Sequence, residues 1–303
     1  MISIFTAPKP FTNPHIAIIQ RNAIRSWKAI GADVILVGDE EGIAEAARDL
    51  DVRHEPCVVH NTYGTPKIDS IFELGRKAAT GDLLAYINAD IILLPDFTEA
   101  AESVAAQQSE FLIIGQRWDL DVKNELDFTS GWSDRLKAEV QNRARRHPRG
   151  GSDYFLFPRS IFTMIPAFAI GRAGWDNWMI YEARRQKWKV IDGSTDINII
   201  HQDHDYSHLP DGKPHYRLPE TFENIEMAGG KRAIFTLDDC DYRLENDRLE
   251  RLPLTWRKFW REVEILPLVS WHSRPLGEVF FAIFHPVKAY HEWRTKTAVS
   301  ANR

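Results

Sequence analysis

Three groups of residues in this 303-residue chain have types and spacings suited to chemistry. Asn88 and Asp90 stand two apart near the end of residues 83–93, LLAYINADIIL, an otherwise almost unbroken apolar run. A buried strand rejects such side chains unless they have partners or work there, so the run reads as a strand that ends in a metal site. Asp176 lies in GRAGWDN, residues 171–177, a Gly-rich turn running into a helix. A carboxylate between Trp175 and Trp178 can accept a proton if partial desolvation raises its pKa, and the indole rings offer flat faces to a ligand. The third group is HQDHDYSHLPDGKPH, residues 201–215, the densest cluster of histidine in the chain.

The segments around these groups predict what positions them. Residues 2–6, ISIFT, form a short strand ended by Pro8 and Pro10. Asn13 and Pro14 are a good cap and first-turn pair for a helix whose apolar residues recur up to Gly31. Residues 33–37, DVILV, read as a second buried strand ending at Gly38-Asp39-Glu40, followed by a short helix at 42–50 and a strand-like patch at 54–59. Pro66 opens a helix over 67–79, and the 83–93 strand comes next. Strands and helices alternating with short connections predict an α/β fold with a mostly parallel sheet covered on both faces. Ligands of such a sheet collect at the carboxyl ends of its strands, here Thr6, Asp39 and the Asn88/Asp90 pair.

Further on, a helix at 97–107, a strand at 111–115 and Arg117-Trp118-Asp119 precede a polar excursion over 120–150, with a charged helix-like segment at 134–146. A strand at 153–158, a helix at 178–187 and one or two strands within 190–200 complete the body. Beyond Pro219 the sequence turns helical and charged. This predicts a catalytic domain over 1–218, divided at 118/119, and a helical extension over 219–303.

Composition bounds the rest. At 34.9 kDa and 44% hydrophobic the chain can bury a full core. No run of about 18 apolar residues is present, so neither a membrane span nor export is expected, and the location expected is cytoplasmic. Cys57 and Cys240 are far apart and read as plain thiols. The net charge of -5 hides an asymmetry, because residues 256–303 hold eight Lys/Arg against four Asp/Glu. A basic, Trp-rich tail on an acidic body suggests an anionic partner for the tail, such as the inner face of a membrane, with packing on the body or a dimer contact as the alternatives. No nucleic-acid partner is expected, and the oligomeric state is left open.

ISIFTAPKPF as first strand and loop, INAD, GWDNW opening a later helix, and HQDH after the last strand together resemble the GT-A class of nucleotide-sugar glycosyltransferases, most closely its family-two-like bacterial members. The resemblance spans about residues 1–210 and implies a Rossmann-like GT-A sheet and transfer of a sugar from a nucleotide diphosphate to a saccharide or lipid-linked acceptor. It implies that Asp90 binds Mn²⁺ or Mg²⁺, with His201 favoured over His204 as a further ligand, and that Asn88, standing where the Asp-x-Asp motif has aspartate, faces the ribose or the metal's water shell. Thr6 and Ala7 would line the base, with uracil expected, Asp39 would accept from base or ribose, and Lys67 would reach the phosphates. Asp176 would serve as general base, with Trp118, Asp153, Trp175 and Trp178 on the acceptor side. The alternatives are a nucleotidyltransferase, against which FTAPKPF lacks glycine, a metallohydrolase built on His201, Asp203, His204 and His208, and a non-catalytic carbohydrate-binding protein.

Overall fold

The computed structural model of the chain describes residues 1–204 and 218–301, from residue 296 by backbone alone. His208 and His215 fall outside the described residues. The first elements form where the apolar pattern places them: β1 (Ile2–Thr6), α1 (Pro14–Ala29), β2 (Asp33–Val37), α2 (Ile43–Leu50), β3 (Arg53–Glu55), α3 (Ile68–Ala78) and β4 (Leu83–Ile87). Asn13 caps α1 by accepting from the N–H groups of His15 and Ile16, and Pro14 sits in the first turn, where its missing donor has no intrahelical partner to lose.

The apolar run at 83–93 is two strands rather than one. After β4 the chain turns, Ile91 N–H donating to the Asn88 carbonyl at 3.1 Å, and β5 (Ile91–Leu93) enters a different sheet. Asn88 and Asp90 therefore do not share a strand face; they occupy the turn between two sheets.

The chain continues through α4 (Asp96–Gln107), β6 (Phe111–Ile114), β7 (Arg117–Leu120), α5 (Trp132–Arg143), β8 (Arg145–Arg146), β9 (Tyr154–Pro158), α6 (Trp175–Arg185), β10 (Lys189–Asp192) and β11 (Ile199–Gln202). Past the undescribed residues come α7 (Pro219–Ala228), β12 (Tyr242–Glu245), β13 (Arg248–Arg251), α8 (Trp256–Val269), α9 (Arg274–Phe284) and α10 (Pro286–Ala301). The large sheet runs β13-β12-β10-β6-β9-β4-β1-β2-β3. It is parallel except where β9 lies antiparallel between β4 and β6 and where β13 folds back on β12. The small sheet runs β5-β11-β7-β8.

Alternation along β1 sends Phe5 to one face of the large sheet and Ile2 and Ile4 to the other. Phe72 of α3, Met179 of α6 and Leu268 of α8 fill the first face, while Trp27 of α1 and Phe97 of α4 fill the second. The excursion expected at 120–150 is itself built structure: Leu136 and Val140 of α5 pack on Ile92, Leu120 and Ile200 of the small sheet. The segment expected to be a helical extension also contributes β12 and β13 to the large sheet, β12 pairing with β10 through Ile191 and Tyr242, so the sheet does not stop at residue 218.

The strand that carries Thr6 is held from behind by a close contact. A Cβ added to Gly75 of α3 would press into the buried Phe5 ring. Gly75→Ala gains about 1 kcal/mol of helix propensity but overpacks this contact, and the expected net loss of stability is about 1–2 kcal/mol. Denaturant midpoints of the two proteins measure it, and an unchanged or raised midpoint would refute the packing argument.

Candidate functional site

The small sheet brings the site together. β11 lies between β5 and β7, with His201 opposite Ile91 on one side and Asp119 on the other. Asp90 immediately precedes Ile91, so the register places Asp90 and Asp119 on either side of one imidazole. His201 Nε2 stands 3.7 Å from Asp90 Oδ2, and His201 Nδ1 stands 3.4 Å from Asp119 Oδ1. His204 Nε2 lies 3.1 Å from the same Asp90 oxygen. One ligand atom from each of Asp90, His201 and His204 falls within 4.8 Å of the others.

The donors of this cluster fit a divalent cation. Burial pushes the Asp90 carboxyl up, but the hydrogen bond with His204 and the charges of His201, Lys9 and His204 outweigh it and hold the group well below the usual carboxylate range. Asp90 Oδ1 and His201 Nδ1 are buried without a hydrogen-bond partner among the described residues, and buried polar atoms of this kind call for a reason. An uncommitted carboxylate oxygen beside two imidazoles is a mixed oxygen and nitrogen set, which suits Mn²⁺ better than Mg²⁺. His204, ranked second from the sequence, lies nearer Asp90 than His201 does.

A chain of charged contacts leads away from the cluster. Arg117 donates through Nε to Asp119 at 2.8 Å and through Nη1 to Asp153 at 2.7 Å. Asn88 donates its side-chain amide to the same Asp153 oxygen at 3.1 Å and its backbone N–H to the Asp153 carbonyl at 3.0 Å. His147 Nδ1 meets Asp119 at 2.8 Å. Burial would raise the Asp119 carboxyl, yet His147 and Arg117 together hold it below its ordinary value. Burial also works against the Arg117 charge, and Asp153, Asp119 and Asp90 overcome it and keep the guanidinium firmly protonated.

The remaining expected residues divide into two sets. Thr6 ends β1, next to β4, and its buried Oγ1 has no hydrogen-bond partner among the described residues. Ala7 follows it, packed against the core. Asp39 is exposed after β2, with His60 Nε2 at 3.3 Å, and Lys67 is the residue before α3, its backbone N–H bound to Val59. Asp176 lies in the first turn of α6, half-buried, with Gly174 N–H donating to Oδ1 at 3.3 Å. Burial raises its pKa against the backbone N–H groups of Asn177, Gly174 and Asp176, and the negative Asp153 adds to the rise.

The tryptophans are placed differently from the expectation of open ring faces. Trp175 is 7% exposed, with its ring centroid 5.1 Å from that of Tyr86 and 5.3 Å from that of Phe155, and Trp178 is 6% exposed, 5.5 Å from Phe168. Their faces are packed against protein. Trp118 carries the Arg146 guanidinium 4.7 Å from its ring centre and donates to Asn198. Asp153 is committed to Arg117 and Asn88. Arg117, Asp119, His147 and Lys9 are the site residues that sequence reasoning passed over. The only signal was the charged pair flanking Trp118 in Arg-Trp-Asp.

No family model matches the chain, and no curated protein matches it in sequence. In structure it is similar to a mannosyltransferase from Pyrobaculum calidifontis solved with GDP-Man and Mn²⁺, at 12% identity and a TM-score of 0.47, covering 99% of this chain and 80% of that one. It is also similar to glucosyl-3-phosphoglycerate synthase of M. tuberculosis, at 14% identity and a TM-score of 0.48, covering 76% of this chain and 81% of that one. A third likeness is to residues 1–349 of TarS from S. aureus in complex with UDP-GlcNAc, at 10% identity and a TM-score of 0.46, covering 75% and 65%.

Proposed function

We propose that the protein is a metal-dependent glycosyltransferase of polysaccharide biosynthesis, moving a sugar from a nucleotide diphosphate, a UDP-sugar first among the candidates, to a saccharide or glycoconjugate hydroxyl. The observation that carries this reading is the convergence of Asp90, His201 and His204 at the turn where β4 leaves the parallel sheet, the end at which such sheets bind ligands. In this reading those three residues hold Mn²⁺ or Mg²⁺, and the ion supplies charge neutralisation for a departing diphosphate. Thr6, Ala7 and Asp39 line the base and ribose, and Asn88 stands at the ribose side of the cluster. Lys67 and Lys9 are the cations for the phosphates, Lys9 lying close enough to Asp90 to stabilise its charge.

Asp176 is the proposed general base, because its raised pKa gives the carboxylate a stronger pull on an acceptor proton than an ordinary aspartate has. Asp153 and Trp118 border the acceptor side, and Trp175 and Trp178 support Asp176 from the core rather than stacking on sugar.

The acceptor proposed is lipid-linked, met at the inner face of a membrane through residues 256–303. Among the described residues, more than half of the exposed large hydrophobic side chains lie in residues 256–293. Leu276, Val279 and Ile283 recur along one exposed face of α9, where only Gly277 is buried. Trp256 of α8, Trp271 between α8 and α9, and Tyr290 and Trp293 of α10 are also exposed, residue types that settle at the level of lipid headgroups. Among the described residues no helix is long and apolar enough to cross a membrane, so the contact proposed is peripheral.

Asp90→Ala is expected to weaken Mn²⁺ binding at least tenfold by calorimetry and to remove metal-dependent transfer while the thermal transition stays cooperative; near wild-type activity would end the metal assignment. Asp176→Asn is expected to lower kcat about 10²–10⁴-fold with donor affinity unchanged. In the wild type, activity should fall as pH drops through the raised Asp176 pKa, above the usual aspartate value of about 4, and the variant should lose that limb. An equal loss of donor binding would make Asp176 a donor or structural residue. Val279→Asp with Ile283→Asp is expected to abolish flotation with anionic liposomes, and flotation equal to wild type would sink the membrane contact.

A further inference from the structure

A cavity of about 490 Å³ opens between α6, the loop at 164–166, α7 and the start of α9. It lies on the side of α6 turned away from Asp176: at about 100° per residue, Glu182 and Arg185 sit roughly 120° and 180° around the helix from that carboxylate. Trp178, Tyr181 and Met227 contribute its apolar lining, and Glu182, Arg185 and Arg274 its charged groups. The volume is that of a small-molecule site.

The polar atoms define what fits. Arg185 Nε and Glu182 Oε2 are both buried and have no hydrogen-bond partner among the described residues. The two side chains form an ion pair, Arg185 Nη1 lying 3.3 Å from Glu182 Oε2, a contact that leaves Oε2 without a hydrogen bond and does not involve Nε. A second arginine, Arg274, faces the same space from the first turn of α9, and Tyr181 lines it beside Arg185. Two guanidinium groups against one carboxylate leave the cavity with positive charge to balance. The unmet donor Arg185 Nε can serve an anionic acceptor, and guanidinium matches phosphate in geometry. The unmet acceptor Glu182 Oε2 can take a hydroxyl donor.

We propose that this cavity binds a hydroxylated phosphate, its phosphoryl group between Arg185 and Arg274 and a hydroxyl on Glu182. The site is separate from the Asp90 cluster and stands whether or not that cluster transfers sugar. The same chemistry is available from a soluble polyol phosphate and from a glycerophosphate headgroup in a membrane, and α9, which carries Arg274, is also the helix with the exposed apolar face. A ligand here ties α6, the helix that positions Asp176, to α7 and α9.

Titration of the full-length protein with glycerol 3-phosphate, in metal-free buffer, and flotation with phosphatidylglycerol against phosphatidylcholine vesicles test the site. Saturable binding of glycerol 3-phosphate, weakened at least tenfold by Arg274→Ala and by Arg185→Ala but unchanged in Asp90→Ala, establishes it with a soluble ligand. Preference for phosphatidylglycerol lost in Arg274→Ala, with no binding of glycerol 3-phosphate, establishes it with the lipid as source. Arg274 is exposed at a helix start, so its variant keeps the test sound if Arg185→Ala unfolds. Binding of neither probe, binding that survives Arg274→Ala, or binding that disappears with Asp90→Ala overturns the proposal.

Discussion

A carboxylate taken out of water must be compensated where it sits, because removing an isolated ion from solvent costs several kcal/mol even after the protein relaxes. Asp90 meets that requirement through His204, His201 and the charge of Lys9. The compensation extends outward, since His201 also faces Asp119, Asp119 is held by Arg117 and His147, and Arg117 reaches Asp153. Asp90 and Asp119 are thereby kept from being buried, unpaired charges. Removing one member therefore exposes the next, and the site behaves as a unit whose pairwise contributions do not add.

The small sheet holds that chain of contacts in register. Its strands come from three distant stretches of sequence, β5, β7 with β8, and β11, and their pairing sets Ile91, His201 and Asp119 side by side. Backbone hydrogen bonding along β11 thereby fixes the spacing between ligand side chains more firmly than loops could. α5 covers the apolar side of this sheet through Leu136 and Val140, so a stretch that reads as polar excursion is a structural support for the site.

Local pattern sufficed for much of this. Asn13 capping α1 and the apolar runs of β1, β2 and β4 follow from residue type and spacing, whereas the pairing of Asp90 with a histidine comes from the family resemblance. What escaped has common causes. A run such as LLAYINADIIL looks the same whether it stays in one sheet or passes into another, because both environments reject polar side chains equally. Trp175 and Trp178 carry the same signal at a helix start whether they face a ligand or the core. Arg117 and Asp119 share a face of β7, but they meet Asp153 and His147 across spans of chain that no local periodicity encodes. The β12–β13 hairpin did leave a trace: Asn246 and Asp247, both with positive φ, supply the turn chemistry that connects tight hairpins, masked by the charged residues around them.

The asparagine at position 88 follows from the count of charges around Arg117. That guanidinium already serves Asp119 and Asp153, and its field also reaches Asp90. An aspartate at 88 would bring a further carboxylate to the Asp153 oxygen that Asn88 now meets at 3.1 Å, and two carboxylates that close cannot both stay ionised. Asparagine donates a hydrogen bond there instead and holds Asp153 in place. The proposed metal site is consequently left with one carboxylate and two imidazoles, a set that favours Mn²⁺ over Mg²⁺. One carboxylate offsets half of a divalent charge, so in the proposed arrangement the phosphates of a donor would offset the rest, and metal and nucleotide would bind best together.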